Sequence, residues 1–158
     1  MLEKVKIYCK RRMSQKTINL LRKIGIIFAG VFYRHNLKKL AQFCGTDKWG
    51  PHSYTPHYQF FFKKFKRKKI KLLEIGVGGY KEPEMGGNSL RMWKIFFPLA
   101  QIYSIDIYGK RALEERRIHI FQGSQVDEGF LKNLITDIGK LDIIIDDGSH
   151  LNRHVIPT

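Results

Sequence analysis

At 158 residues, 43% apolar and 13% aromatic, the chain is long and apolar enough to build one globular core, which excludes a disordered segment. Its net charge of +15 is unevenly placed: residues 1–71 hold 19 Lys and Arg against two acids, Glu3 and Asp47, whereas residues 72–158 hold 10 against 12. The two cysteines, Cys9 and Cys44, form neither a CxxC pair nor a Cys/His ligand spacing, which argues against a disulfide framework and fits the reduced thiols of a cytoplasmic protein.

Residues 1–23 mix basic and apolar positions, with Ile18, Leu20, Leu21 and Ile24 near helical spacing. The run Ile24–Tyr33 is the one long apolar stretch, and its ten residues fall short of the roughly 20 that span a bilayer. It predicts a packed helix, with a peripheral membrane contact as the second reading because Lys and Arg flank it. Residues 36–45 predict a short amphipathic helix capped by Asn36 and stopped by Gly45. Thr46–Tyr58, rich in aromatics and Pro, predicts an irregular loop. Phe60, Phe61, Phe62 and Phe65 start another helix that runs into the basic stretch Lys63–Lys69.

From residue 70 the pattern changes to strands alternating with helices. Strands are predicted at Ile70–Ile75, Gln101–Asp106, Ile118–Phe121 and Leu141–Asp146, with helices at Ser89–Phe97, capped by Asn88 or Ser89, and at Asp127–Ile138, closed by Gly139. Such alternation implies βαβ units and a parallel sheet, an α/β fold of Rossmann type. The chain thus divides into a basic helical segment, 1–69, and a Rossmann-like part, 70–158.

In an open parallel sheet, ligands bind outside the carboxyl ends of the strands. Here those ends carry Glu74 with a glycine turn, Asp106, Gln122-Gly123, and Asp146-Asp147. Gly76 and Gly78 let a ligand approach the backbone where a Cβ would collide. The turn reads Gly76-Val77-Gly78-Gly79-Tyr80-Lys81, so its third glycine is misplaced for the nicotinamide-dinucleotide fingerprint. Asp106 suits both hydroxyls of a ribose. Its distance from Gly76 exceeds the usual spacing of about 20 residues, and the loop Tyr80–Asn88 accounts for the excess. In Asp146-Asp147-Gly148-Ser149-His150, Asp147 offers an oxygen ligand to a divalent metal and His150 a general base with a pKa near neutrality.

Together Gly45–Gly50, Tyr54–Tyr58, Leu73–Tyr80, Gly87–Lys94, Ile105–Tyr108, Phe121–Gly123 and Ile143–His150 resemble the macrocin/mycinamicin-type sugar O-methyltransferases, a class I S-adenosylmethionine-dependent family. The resemblance covers roughly residues 37–156. It implies S-adenosylmethionine and Mg2+ as cofactors and a sugar hydroxyl, on a glycosylated natural product or a polysaccharide, as acceptor. It places Glu74, Gly76, Gly78, Gly79, Tyr80, Ser89, Asp106, Gln122, Gly123 and Asp147 around the cofactor. Asp147 is also the implied metal ligand, and His150 the base that deprotonates the acceptor hydroxyl. The intact protein is expected to be a homo-oligomer.

The family's other two metal ligands are acids at the end of a fifth strand, beyond this chain, and the family's sheet has more strands than the four readable here. The usual strand order would be 3-2-1-4, leaving strand 4 as an open apolar edge. The sequence therefore predicts a truncated product with weak or absent transferase activity. The basic segment supports a competing assignment, a non-catalytic or nucleic-acid-binding protein that retains the same fold. Against it, the segment has no recognisable nucleic-acid motif.

Overall fold

The computed structural model describes residues 14–50 and 53–149. Among the described residues, five helices and three 3-10 turns (the third at Arg111–Leu113) lead into the sheet or cover it. Helix α1 is Gln15–Phe32, α2 Leu37–Cys44, α3 Tyr54–Phe62, and the first 3-10 turn is Asp47–Trp49. The second turn, Lys63–Phe65, precedes β1 (Lys71–Ile75), α4 (Asn88–Phe96), β2 (Gln101–Asp106), β3 (Ile118–Gln122), α5 (Glu128–Ile138) and β4 (Ile143–Asp146).

Among the described residues the strands form one parallel sheet in the order β3-β2-β1-β4, the order the family resemblance implies. Alternation along the strands sends side chains to two layers. Leu72, Ile102, Ile118, Ile143 and Ile145 pack with Leu90, Trp93 and Phe96 of α4 and with Leu37, Leu40 and Ala41 of α2. Leu73, Ile75 and Ile105 pack instead with Leu134 and Ile138 of α5. The N-terminal helices thus share a core with one face of the sheet. At the edge, β4 pairs only with β1 among the described residues, and Ile144 is 58% exposed, in line with the expected open edge.

The α2 helix has the predicted limits: the Asn36 side chain accepts from the Lys39 amide, and Gly45 ends it in the left-handed conformation at φ 73°. Other boundaries differ, each for a local reason. The loop predicted over residues 46–58 instead contains the Asp47–Trp49 turn and the first half of α3. Pro56 sits in the first turn of α3, where its missing N–H has no intrahelical partner to lose. The cap of α4 is Gly87, left-handed at φ 70° and with no side-chain cap bond. Both predicted caps lie within the helix itself, and the Asn88 side chain turns to α2 instead, its Nδ2 donating to the Gly45 carbonyl at 3.0 Å. Strand β4 begins at Ile143; just before it the Asp142 amide donates to the Lys71 carbonyl at 3.0 Å, while the Asp142 carboxylate, in place of a backbone carbonyl, accepts the Lys71 amide at 2.9 Å.

The apolar run 24–33 is helical up to Phe32, and its described side chains divide between buried and exposed. Ala29 is buried, whereas Leu21, Ile24, Phe28, Val31 and Phe32 are each at least half exposed. No described helix is long and apolar enough to cross a membrane. The predictions for residues 1–13 and for His150 lie outside the described residues.

Candidate functional site

The carboxyl ends of the strands open into a cleft of about 640 Å³, within the size range of small-molecule and cofactor sites. Its floor is the turn after β1. The Gly76 amide donates to the Ile105 carbonyl at 2.9 Å, and the Asp147 amide donates to the Ile75 carbonyl at 3.0 Å. These bonds hold the turns after β1, β2 and β4 against one another.

The two glycines of this turn serve different ends. A Cβ on Gly76 (φ 93°) would lie 2.6 Å from the Asp147 carbonyl oxygen, so this glycine makes room for the β4 turn and not for a ligand. A Cβ on Gly78 (φ 76°) would meet nothing within 4 Å. Gly78 faces the open cleft, and only there does the sequence argument for close ligand approach apply.

Asp106 is fixed by two amides. Val77 N–H donates to Oδ2 and Tyr108 N–H donates to Oδ1, each at 2.9 Å. Each carboxylate oxygen retains a lone pair for a further donor, and the residue lines the cleft. Gly79, Tyr80, Ser89, Gly123 and Asp147 line it too. Tyr80 is 86% exposed. Gln122 is not part of the lining; its amide donates to the Ile107 carbonyl at 3.3 Å. Glu74 is fully buried below the floor.

Beneath the cleft lies a charged cluster that the sequence does not announce. Lys48, only 2% exposed, places its ammonium 3.0 Å from Glu74 Oε1 and 2.5 Å from Asp147 Oδ2. The other Glu74 oxygen accepts from Trp93 Nε1 at 3.0 Å. Burial pushes the Glu74 carboxyl above the usual carboxylate range, against the pull of the Lys48 ammonium. Burial also disfavours the charge on Lys48, but the Glu74 and Asp147 carboxylates outweigh it and raise its pKa. Lys48 is therefore a fixed cation with two anionic partners. Gly45, Thr46, Asp47, Asn88 and Gln125 also line the cleft without having been singled out. The Gly45–Gly50 motif carries the family resemblance, yet nothing in it marks one basic residue among 19 as buried.

Asp147, the predicted metal ligand, stands alone as such. Among the described residues no group of three or more His, Cys, Asp or Glu is arranged to hold a metal ion, and one Asp147 oxygen is taken by Lys48.

No protein-family model matches the chain. It is similar to the mycinamicin VI 2''-O-methyltransferase of Micromonospora griseorubida, 50% identical over 121 residues, covering 76% of this chain and 30% of that protein. It is also similar to the demethylmacrocin O-methyltransferase of Streptomyces fradiae, 50% identical over 111 residues and covering 70% and 28% of the two chains. A tetracenomycin-pathway rhamnosyl 3'-O-methyltransferase of Streptomyces olivaceus is 44% identical over 120 residues, 75% of this chain and 31% of that protein. Among solved structures, the MycE methyltransferase of mycinamycin biosynthesis, in complex with Mg, SAH and mycinamycin VI, superposes with a TM-score of 0.75 at 49% identity, over 77% of this chain and 34% of that one. Its homologues at 43–50% identity are mycinamicin-, macrocin- and tetracenomycin-type sugar O-methyltransferases, and the chain spans about 30% of the length of the curated relatives it matches.

Proposed function

We propose that residues 70–158 form the S-adenosylmethionine-binding part of a sugar O-methyltransferase and that residues 1–69 are a basic helical N-terminal segment, whose described helices share a core with the sheet. The observation that carries this reading is the cleft itself: an open glycine turn at Gly78 faces Asp106, whose carboxylate is oriented by the Val77 and Tyr108 amides. The crystal structures of the MycE relative, named as complexes with Mg and SAH, support it.

The residues present fit S-adenosylmethionine. Asp106 is the acceptor for its ribose hydroxyls, and the Gly78 backbone is the surface against which it lies closely. Gly79, Tyr80, Ser89 and Gly123 complete the cofactor lining; Gly76 and Glu74 support it from below, Asp147 stands beside it, and Gln122 lies outside the lining and braces the Ile107 carbonyl. The bound cofactor supplies an electrophilic methyl group on a sulfonium. The chain's own part is to exclude water from that cleft and to hold the cofactor rigidly, since positioning accounts for much of the gain in such transfers. His150, three residues past Asp147, is the proposed proton acceptor for the acceptor hydroxyl. Toward the Mg2+ of the MycE complexes, Asp147 is the ligand this chain would contribute, through the oxygen that Lys48 leaves free, and no group of three or more His, Cys, Asp or Glu among the described residues completes a site around it. The acceptor is proposed to be a glycosylated small molecule, as in the complex with mycinamycin VI.

Titration calorimetry of the 158-residue chain with S-adenosylhomocysteine tests the reading. Saturable binding is expected, weakened about 10- to 100-fold in Asp106→Ala, the cost of losing hydrogen bonds to a charged acceptor. Absence of binding by the wild-type chain rejects it.

A further inference from the structure

We infer that the segment Gly45–Trp49 is a wall of the cofactor cleft and that Lys48 is the positioning residue that holds this wall in place; the cofactor half of this statement rests on the function proposed above. Gly45, Thr46 and Asp47 line the cleft beside the glycine turn, although they belong to the helical segment that precedes the sheet. Something must tie them to it. One tie is the hydrogen bond from Asn88 Nδ2 to the Gly45 carbonyl at 3.0 Å. The other is Lys48.

Lys48 sits immediately after the lining residues and turns inward, to 2% exposure. A buried ammonium is tolerated only with close anionic partners. Its two partners come from different strands: Glu74 from β1, at 3.0 Å, and Asp147 from the turn after β4, at 2.5 Å. One side chain thereby fixes three segments: the N-terminal wall, the floor under the glycine turn, and the rim where Asp147 lines the cleft. Glu74 is anchored from behind by Trp93 of α4 at 3.0 Å, so the ammonium docks on a rigid acceptor. Lys48 itself does not line the cleft. It acts on a ligand through the wall it holds.

The test compares the wild-type chain with Lys48→Met/Glu74→Gln, which removes both fully buried charges together, and with Asp147→Asn, which removes the exposed anionic partner alone. Amide hydrogen exchange is followed by mass spectrometry, and the affinity for S-adenosylhomocysteine by calorimetry. In the double variant the Gly45–Trp49 amides should exchange at least about tenfold faster, the effect of one lost charge-assisted hydrogen bond. Protection of β1 and β2 should stay at the wild-type level, and affinity should fall about tenfold. Asp147→Asn should show the same local change at smaller amplitude, and it decides the matter if the double variant does not fold. Unchanged exchange at Gly45–Trp49 and unchanged affinity, with only a lower melting temperature, would reduce Lys48 to a structural ion pair and overturn the inference. If the wild-type chain binds no S-adenosylhomocysteine, the cofactor reading fails. The exchange comparison then still decides whether Lys48 holds the wall.

Discussion

The carbonyl oxygen of Asp147 occupies the space in which a side chain on Gly76 would begin: an added Cβ would sit 2.6 Å from it. Gly78, two residues on, has no such neighbour within 4 Å. The two glycines should therefore fail differently. Gly76→Ala must displace the β4 turn, so the fold should lose stability well beyond the 1–2 kcal/mol or so of a left-handed alanine. Gly78→Ala should cost only about that strain, yet its methyl group enters the cleft and should weaken S-adenosylhomocysteine binding by more than the loss of stability explains. Urea melts and calorimetry on both variants check this. Equal behaviour would mean that Gly78 does not face a ligand.

The buried pair makes a stability prediction of its own. Lys48→Met leaves Glu74 fully buried with its charge uncompensated. Removing one partner of a buried pair typically costs about 3–5 kcal/mol. Lys48→Met/Glu74→Gln removes both charges, and its melting temperature should lie above that of Lys48→Met. Thermal melts of the two variants decide it; a double variant no more stable than the single one would mean the Glu74 charge imposes no penalty once Lys48 is gone.

Much of this arrangement is legible in the sequence, and the illegible part has a physical cause. The four strands, the glycine turn, Asp106 and the cap and stop of α2 follow from periodicity and from residue types tied to one conformation, whereas the strand order follows from the family resemblance. The start of α3 is hidden because Pro51 and Pro56 read as loop, although proline is harmless in a first helical turn. Lys48 is hidden for a deeper reason. Its burial depends on two carboxylates that reach it from β1 and β4, one of them 99 residues away, and no local pattern records that convergence. Gly76 was legible as a special position, but its reason, the crossing Asp147 backbone, was not.

Cys44 offers a pH-dependent check on the packing of α2 against the sheet. Burial pushes its thiol up to about 12, only partly offset by Arg91. Because the folded-state value lies above the ordinary thiol value of about 8.5, the folded state is favoured with the thiol protonated. That contribution is complete below the ordinary value and is lost as pH rises toward the folded value. In a Cys9→Ser background, Cys44 should resist iodoacetamide near neutral pH until denaturant is added. Stability measured by urea melts should decline from about pH 9 upward, and Cys44→Ala should flatten that decline. Rapid alkylation of the native chain at neutral pH would contradict the burial.

The most direct measurement of the central claim is a map of backbone amide chemical shifts during titration of the isotope-labelled chain with S-adenosylhomocysteine. The account predicts saturable shifts at Gly76–Gly79, at Asp106–Tyr108 and at Gly45–Asp47, with the basic Lys63–Lys69 stretch unmoved. Shifts confined to that basic stretch, or none at saturating ligand, would contradict it.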